Sequence, residues 1–170
     1  MLLEADPSAN YERAVRDFAQ EMVSAGRVVF VFTSKGSPVY LLLREIPGIR
    51  FFLLADVSYP KASGLPLEVM VPRNDHSVLL NVIDEAVSKT PEPLKAIILD
   101  NVSSMILDGG FQETYKFLRE VNEIVSHADV ISLFISLSKA HDDKTMNLVK
   151  NLYSGHLVYD ASGLQVKKQG

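Results

Sequence analysis

Hydrophobic positions along the chain follow two alternating rhythms. Tyr11, Ala14, Val15, Phe18, Met22 and Val23 recur at helical spacing between Asn10, an N-cap residue type, and Gly26, a natural stop. Residues 28–32 are then continuously β-branched and aromatic, too short for a helix, and run into the small and polar residues Thr33 to Pro38. The spacing predicts a short helix over 39–45 closed by Pro47-Gly48, a strand over 49–57, a loop over 60–66 and a strand over 67–71. Asn74 or Asp75 is placed to cap a helix with Val78, Leu79, Val82, Ile83 and Val87 on one face, ended by Pro91 and Pro93. An apolar segment over 95–107 reads as a buried strand broken by an acid at Asp100, so the strand proper is 95–100. A turn at Asp108-Gly109-Gly110 precedes an amphipathic helix from Phe111 to about His127. A serine-containing strand over 130–137, a helix capped by Asp142 or Asp143, a strand over 156–159 and a hairpin partner over 164–166 complete the pattern.

Apolar strands alternating with amphipathic helices predict an α/β fold, a mostly parallel sheet with helices on both faces. With 170 residues and no repeat or linker, residues 1–170 are expected to form one domain. A net charge of −4 gives no general attraction to nucleic acid or anionic membrane. The absence of cysteine excludes disulfide, thiolate-nucleophile and zinc-thiolate chemistry. Neither a leader pattern at the first residues nor a run of ~18 apolar residues occurs, so the expectation is a cytoplasmic protein with no membrane association.

Asp100 stands at the C-terminal end of a strand, the edge at which open parallel sheets bind ligands. It is a candidate for holding magnesium, or alternatively for capping a turn through Ser103 or Ser104. The loop Thr33-Ser34-Lys35-Gly36-Ser37-Pro38 is the upstream candidate for a phosphate, but it lacks the G-x-x-x-x-G-K-[ST] arrangement.

The order of a strand entering that loop, a middle strand ending in Asp100, a helix and a serine-rich strand resembles the RecA/KaiC-like ATPases. Asp6-Pro7 with residues 18–27, the block Leu99-Asp100-Asn101-Val102-Ser103-Ser104-Met105-Ile106, and the stretch from Phe117-Leu118-Arg119-Glu120 to His141-Asp142-Asp143-Lys144-Thr145 are similar to archaeal domains of unknown function and methanogen sensory domains. The resemblance implies a three-layer fold with a degenerate phosphate loop, and ATP with magnesium as the cofactor if one is kept. Thr33, Ser34, Lys35, Gly36, Ser37 and Asp100 would then be the residues that hold it. Pro38, Val39 and Tyr40 stand roughly where the family has its second glycine, its lysine and its Ser/Thr. Pro38 removes an amide from any anion cradle, and Lys35 lies mid-loop rather than in the first helical turn.

Four other constellations have structural readings beside functional ones. His141-Asp142-Asp143 offers metal ligands near Asp100, and equally an N-cap with acids at a helix's positive end. Ser132, Ser136 and Ser138 with His127 or His141 have no G-x-S-x-G elbow, so local hydrogen bonding accounts for them better than hydrolase chemistry. Lys139, Lys144, Lys150, Lys167 and Lys168 are interleaved with acids and accompany no nucleic-acid motif. Phe30, Phe32, Phe51 and Phe52 are expected in the core, whereas the loop from Tyr59 to Pro66, with Lys61, Ser63 and Gly64, is expected at a recognition edge. The resulting expectation is a non-catalytic regulatory module that binds a protein partner or a second copy. An unconventional nucleotide-binding protein is the alternative.

Overall fold

The computed structural model describes residues 1–126 and 129–168. In chain order the elements are β1 (Leu2–Ala5), α1 (Glu12–Ser24), β2 (Val28–Thr33), α2 (Pro38–Leu43), β3 (Arg50–Ala55), β4 (Lys61–Ala62), β5 (Glu68–Pro72) and α3 (His76–Lys89). They continue with β6 (Lys95–Asp100), α4 (Val102–Gly109), α5 (Phe111–Ser126), β7 (Val130–Leu137), α6 (Asp143–Lys150), β8 (His156–Asp160) and β9 (Gly163–Lys168). The strands form one sheet in the order β4-β5-β3-β2-β6-β7-β1-β8-β9. Among the described residues only the outermost pairs, β4 with β5 and β8 with β9, are antiparallel.

The period-two alternation of each strand divides the sheet into two apolar faces. Phe30, Phe32, Ile97, Leu99 and Phe134 point to one face and pack under α3, α4, α5 and α6 through Leu79, Ile83, Met105, Leu118 and Val149. Val29, Val31, Ala96, Ile98, Leu133 and Ile135 point to the other, under α1 and α2 through Val15, Ala19, Val39 and Leu43. Both faces of the central strands are therefore covered, which is why these strands are continuously apolar rather than alternating.

This division sets the geometry of the sheet edge. From β2 the chain leaves over the α1/α2 face toward β3, while from β6 it leaves over the opposite face toward β7. Because β2 and β6 are neighbours, their C-terminal ends open a crevice between diverging connections, the usual ligand position in such sheets.

Several expectations change. Leu2–Ala5, unassigned from the sequence, is a central strand between β7 and β8, buried despite carrying Glu4. Its glutamate is held by Lys150 Nζ at 2.8 Å. Asn10 does not cap α1; it adopts a left-handed φ of 51°, and the helix starts at Glu12 after Tyr11. Residues 102–107, part of the apolar run beyond the strand and given no element of their own, belong to α4, because the Asn101 side chain accepts from the Ser104 amide at 2.8 Å and starts a helix there. Part of the expected loop at 60–66 is the two-residue strand β4. The remaining helices and strands fall within a few residues of expectation, with Asp75 and Asp142 as the caps of α3 and α6. The expected end of α5 at His127 lies outside the described residues.

Candidate functional site

Asp100 ends β6 only 4 % exposed, one register step beyond the Phe32–Leu99 pair. Its Oδ2 accepts two hydroxyl hydrogen bonds from the β2 side of the crevice, from Thr33 Oγ1 at 2.7 Å and from Ser37 Oγ. Its Oδ1 is buried and has no partner. Burial pushes the carboxyl pKa up, against the opposing pull of the Ser37 and Thr33 hydroxyls and of the neighbouring Asn101 side chain. Tyr11, buried at the start of α1, feels the Asp100 charge, and together with burial this holds its hydroxyl protonated.

The expected binding residues divide around this carboxylate. The structure brings Thr33 and Ser37 onto Asp100, and Ser34 lines the cleft beside it. Lys35 and Gly36 are exposed at the tip of the loop and stand outside the cleft lining. The C-terminal part of the loop is occupied internally: the Ser37 amide donates to the Ser34 carbonyl at 3.0 Å, Pro38 has no N–H, and the Val39 amide donates to Ser37 Oγ at 3.1 Å. The turn-capping alternative for Asp100 is not what the structure shows, since Asn101 performs it.

A second strand–loop–helix unit, β1 to α1, leads to the same edge. Its loop is folded on its own acid: Asp6 Oδ1 accepts from the Ser8 amide at 2.9 Å and from Ser8 Oγ at 2.7 Å, which lowers the Asp6 pKa. Pro7 contributes no amide, and the first helical residues are Glu12 and Arg13 rather than a lysine and a Ser/Thr. Internal bonds and the two prolines thus withdraw from both loops amides that a phosphate cradle would use, those of positions 7, 8, 37, 38 and 39.

From Asp100 a cleft of about 270 Å³ extends over the α3/α4 side of the sheet edge. Its walls include Arg73 and His76 at the start of α3, Asn101 and Asp108 at the two ends of α4, and apolar surface from Leu54, Met105 and Leu107. Arg73 Nη2 donates to the Leu54 carbonyl at 3.4 Å, and its Nε lies 4.0 Å from Asp56. The His76 ring stacks on Phe117 at 5.2 Å, and burial lowers its pKa. Gly109 packs against that ring, since a Cβ there would come within 3.1 Å of it. Sequence reasoning missed Arg73 and His76 as cleft residues. The available signal was their position, at the end of a parallel strand and the start of the next helix.

The remaining candidates have structural roles. Among the described residues, no three histidine, aspartate or glutamate side chains converge as a metal site. Asp142 accepts from the Thr145 amide at 2.9 Å and from Thr145 Oγ1 at 3.0 Å, the capping arrangement. Ser136 meets Ser103 at 3.2 Å in the seam between β7 and α4, with Ser103 Oγ accepting from the Leu137 amide at 2.9 Å. Ser63, in the expected recognition loop, donates to the buried Glu68, which also accepts from Tyr40. No helix among the described residues is long and apolar enough to cross a membrane.

The whole architecture recurs in a KaiC-like protein, PH0186, from the hyperthermophilic archaeon Pyrococcus horikoshii OT3. It aligns over 99 % of this chain and 78 % of its own with a TM-score of 0.67 at 12 % identity. The chain has a KaiC-like fold. Two further proteins from the same organism share it. One, from a structural study of PH0250, aligns over 99 % of this chain and 85 % of its own, with a TM-score of 0.73 at 13 % identity. The other, the uncharacterized protein PH0321 in complex with an unknown peptide, aligns over 99 % and 82 %, with a TM-score of 0.62 at 12 % identity. No family model matches the sequence, and no curated protein matches it. At such identities the likeness extends to the KaiC-like, three-layer α/β fold alone, which explains the crevice at the β2–β6 edge but not what occupies it.

Proposed function

We propose that this chain is a single-domain, non-catalytic regulatory module, binding a ligand in the β2–β6 crevice and acting through contacts with a protein partner or a second copy. The observation that carries this reading is how both edge loops turn backbone donors inward and lack a helix-start lysine. Asp6 takes the Ser8 amide, Ser34 and Ser37 take the amides of Ser37 and Val39, and Pro7 and Pro38 have no N–H to offer an anion. Phosphoryl transfer depends on charge neutralisation by lysine and metal at converging amides, and the site residues supply neither the lysine nor the cradle. ATP and magnesium therefore fit these residues poorly.

Thermal-shift and calorimetric titration with ATP, ADP and GTP, with and without magnesium, tests the reading. No saturable shift at millimolar nucleotide and no phosphate release are expected. Light scattering with a search for co-purifying chains tests the regulatory half, and a strict monomer without partners counts against it.

A second reading, an unconventional nucleotide-binding protein, draws on one observation: Asp100 lines the cleft and its buried Oδ1 has no partner, which suits a magnesium-bound water. It requires a magnesium-dependent shift that Asp100→Ala abolishes.

A further inference from the structure

We propose that the Asp100–Arg73 cleft is a receptor site for a small zwitterion of the amino-acid class, with the ligand's ammonium on Asp100 Oδ1 and its carboxylate on the Arg73 guanidinium. The proposal names the ligand of the module described above and rests on that reading.

Asp100 carries the argument. A buried carboxylate oxygen without a partner is costly, and a bound ion or ligand group is one of the reasons native structures keep one. Here the other oxygen is held by Thr33 and Ser37, which fixes the rotamer and leaves Oδ1 buried and without a partner in a residue that lines the cleft. A cationic hydrogen-bond donor is the partner such an oxygen pairs with most strongly. A divalent ion is a poorer match, because no ligand cluster forms around it among the described residues.

Arg73 supplies the opposite sign. Its guanidinium is anchored on one side by the Leu54 carbonyl, and the arginine fork offers planar donors suited to a carboxylate. A ligand that is purely anionic would meet Asp100 and Asp108, and one that is purely cationic would meet Arg73. Only a molecule carrying both signs satisfies both walls. The volume of about 270 Å³ lies at the small end of ligand pockets, in keeping with a small ligand. Leu54, Met105 and Leu107 leave an apolar wall for a side chain, and Leu107 is 71 % exposed at the rim.

The test is calorimetry and thermal shift with the full chain against the twenty standard amino acids, each paired with its decarboxylated amine and its deaminated acid. At least one amino acid is expected to bind saturably, with both counterparts weaker by about tenfold or more, a difference of ~1.4 kcal/mol. Asp100→Asn and Arg73→Gln should each weaken binding by a similar factor while circular dichroism confirms that they fold. No saturable binding by any amino acid at ~10 mM, a concentration well above ordinary site affinities, overturns the proposal. So does binding that both substitutions leave unchanged. Phosphate release from magnesium-ATP is measured on the same samples. Hydrolysis that disappears in Asp100→Asn overturns the non-catalytic reading beneath the proposal, whereas absent hydrolysis with absent amino-acid binding overturns the ligand assignment alone.

Discussion

Thr33 and Asp100, at the ends of adjacent strands, are joined by a 2.7 Å hydrogen bond in which the threonine hydroxyl donates to a carboxylate with almost no exposure to water. Thr33→Val keeps the shape and removes the donor. Hydrogen bonds to charged groups contribute about 1.5–3 kcal/mol, so the variant should lose roughly that much in urea denaturation at neutral pH.

Asp100 itself should behave oppositely. Its folded-state pKa is raised by burial, so the folded protein binds its proton more tightly than the unfolded chain does. The stability associated with that proton is fully present below the unfolded value and is lost as pH rises through the folded one. At neutral pH the ionised carboxylate is thus a net burden. Asp100→Asn should raise Tm at pH 7, by the equivalent of about 1 kcal/mol, and the gain should shrink as pH is lowered. A variant less stable than the parent at pH 7 would count against the orphaned oxygen as the source of strain.

His76 gives a second pH signature of the reverse sign. Burial lowers its pKa, with Glu113 and Asp75 pulling the other way. The unfolded chain therefore takes the proton first, and stability present above the ordinary histidine range falls as pH drops through it. His76→Gln should flatten the fall in Tm between about pH 7 and pH 5, the window set by the reference histidine value.

Gly110 closes α4 with a φ of 83° and turns the chain into α5. With ψ at 156° this is a region essentially reserved for glycine, so alanine there should cost about 1–3 kcal/mol, although no neighbouring atom obstructs its Cβ. Denaturant unfolding of Gly110→Ala should show that loss, and a neutral result would refute the conformational account.

Two apolar residues should separate core from rim. Phe134 is fully buried at the centre of β7 with its ring 5.0 Å from Tyr153, and Phe134→Ala should lose about 3–5 kcal/mol. Leu107→Ser, at the cleft mouth, should stay within ~0.5 kcal/mol of the parent in the same assay.

What the sequence made legible followed from how locally each element is determined. β7 was readable because its eight residues carry their own apolar pattern, and α3 because Asp75 announces its start. β1 was not, since four residues with a glutamate among them become a strand only when β7 and β8 flank them. α4 was masked by the apolar run from Val102 to Leu107, in which the cap at Asn101 was the sole helical signal. Thr33, Ser37 and Asp100 were each named, but as parts of a phosphate site. Their convergence depends on β2 lying beside β6, and Arg73 and His76 join them only through the packing of α3 against the same edge.

The position of β1 also bears on how the molecule assembles. Its partners begin at Val130 and His156, so the sheet's interior stays incomplete until segments more than a hundred residues apart in the chain have met. Such distant pairing makes for slow folding and leaves both edges of β1 unpaired during synthesis until β7 and then β8 have been made. The β2–β6 half, whose strands and helices are contiguous from Val28 to Ser126, has all its chain available much earlier.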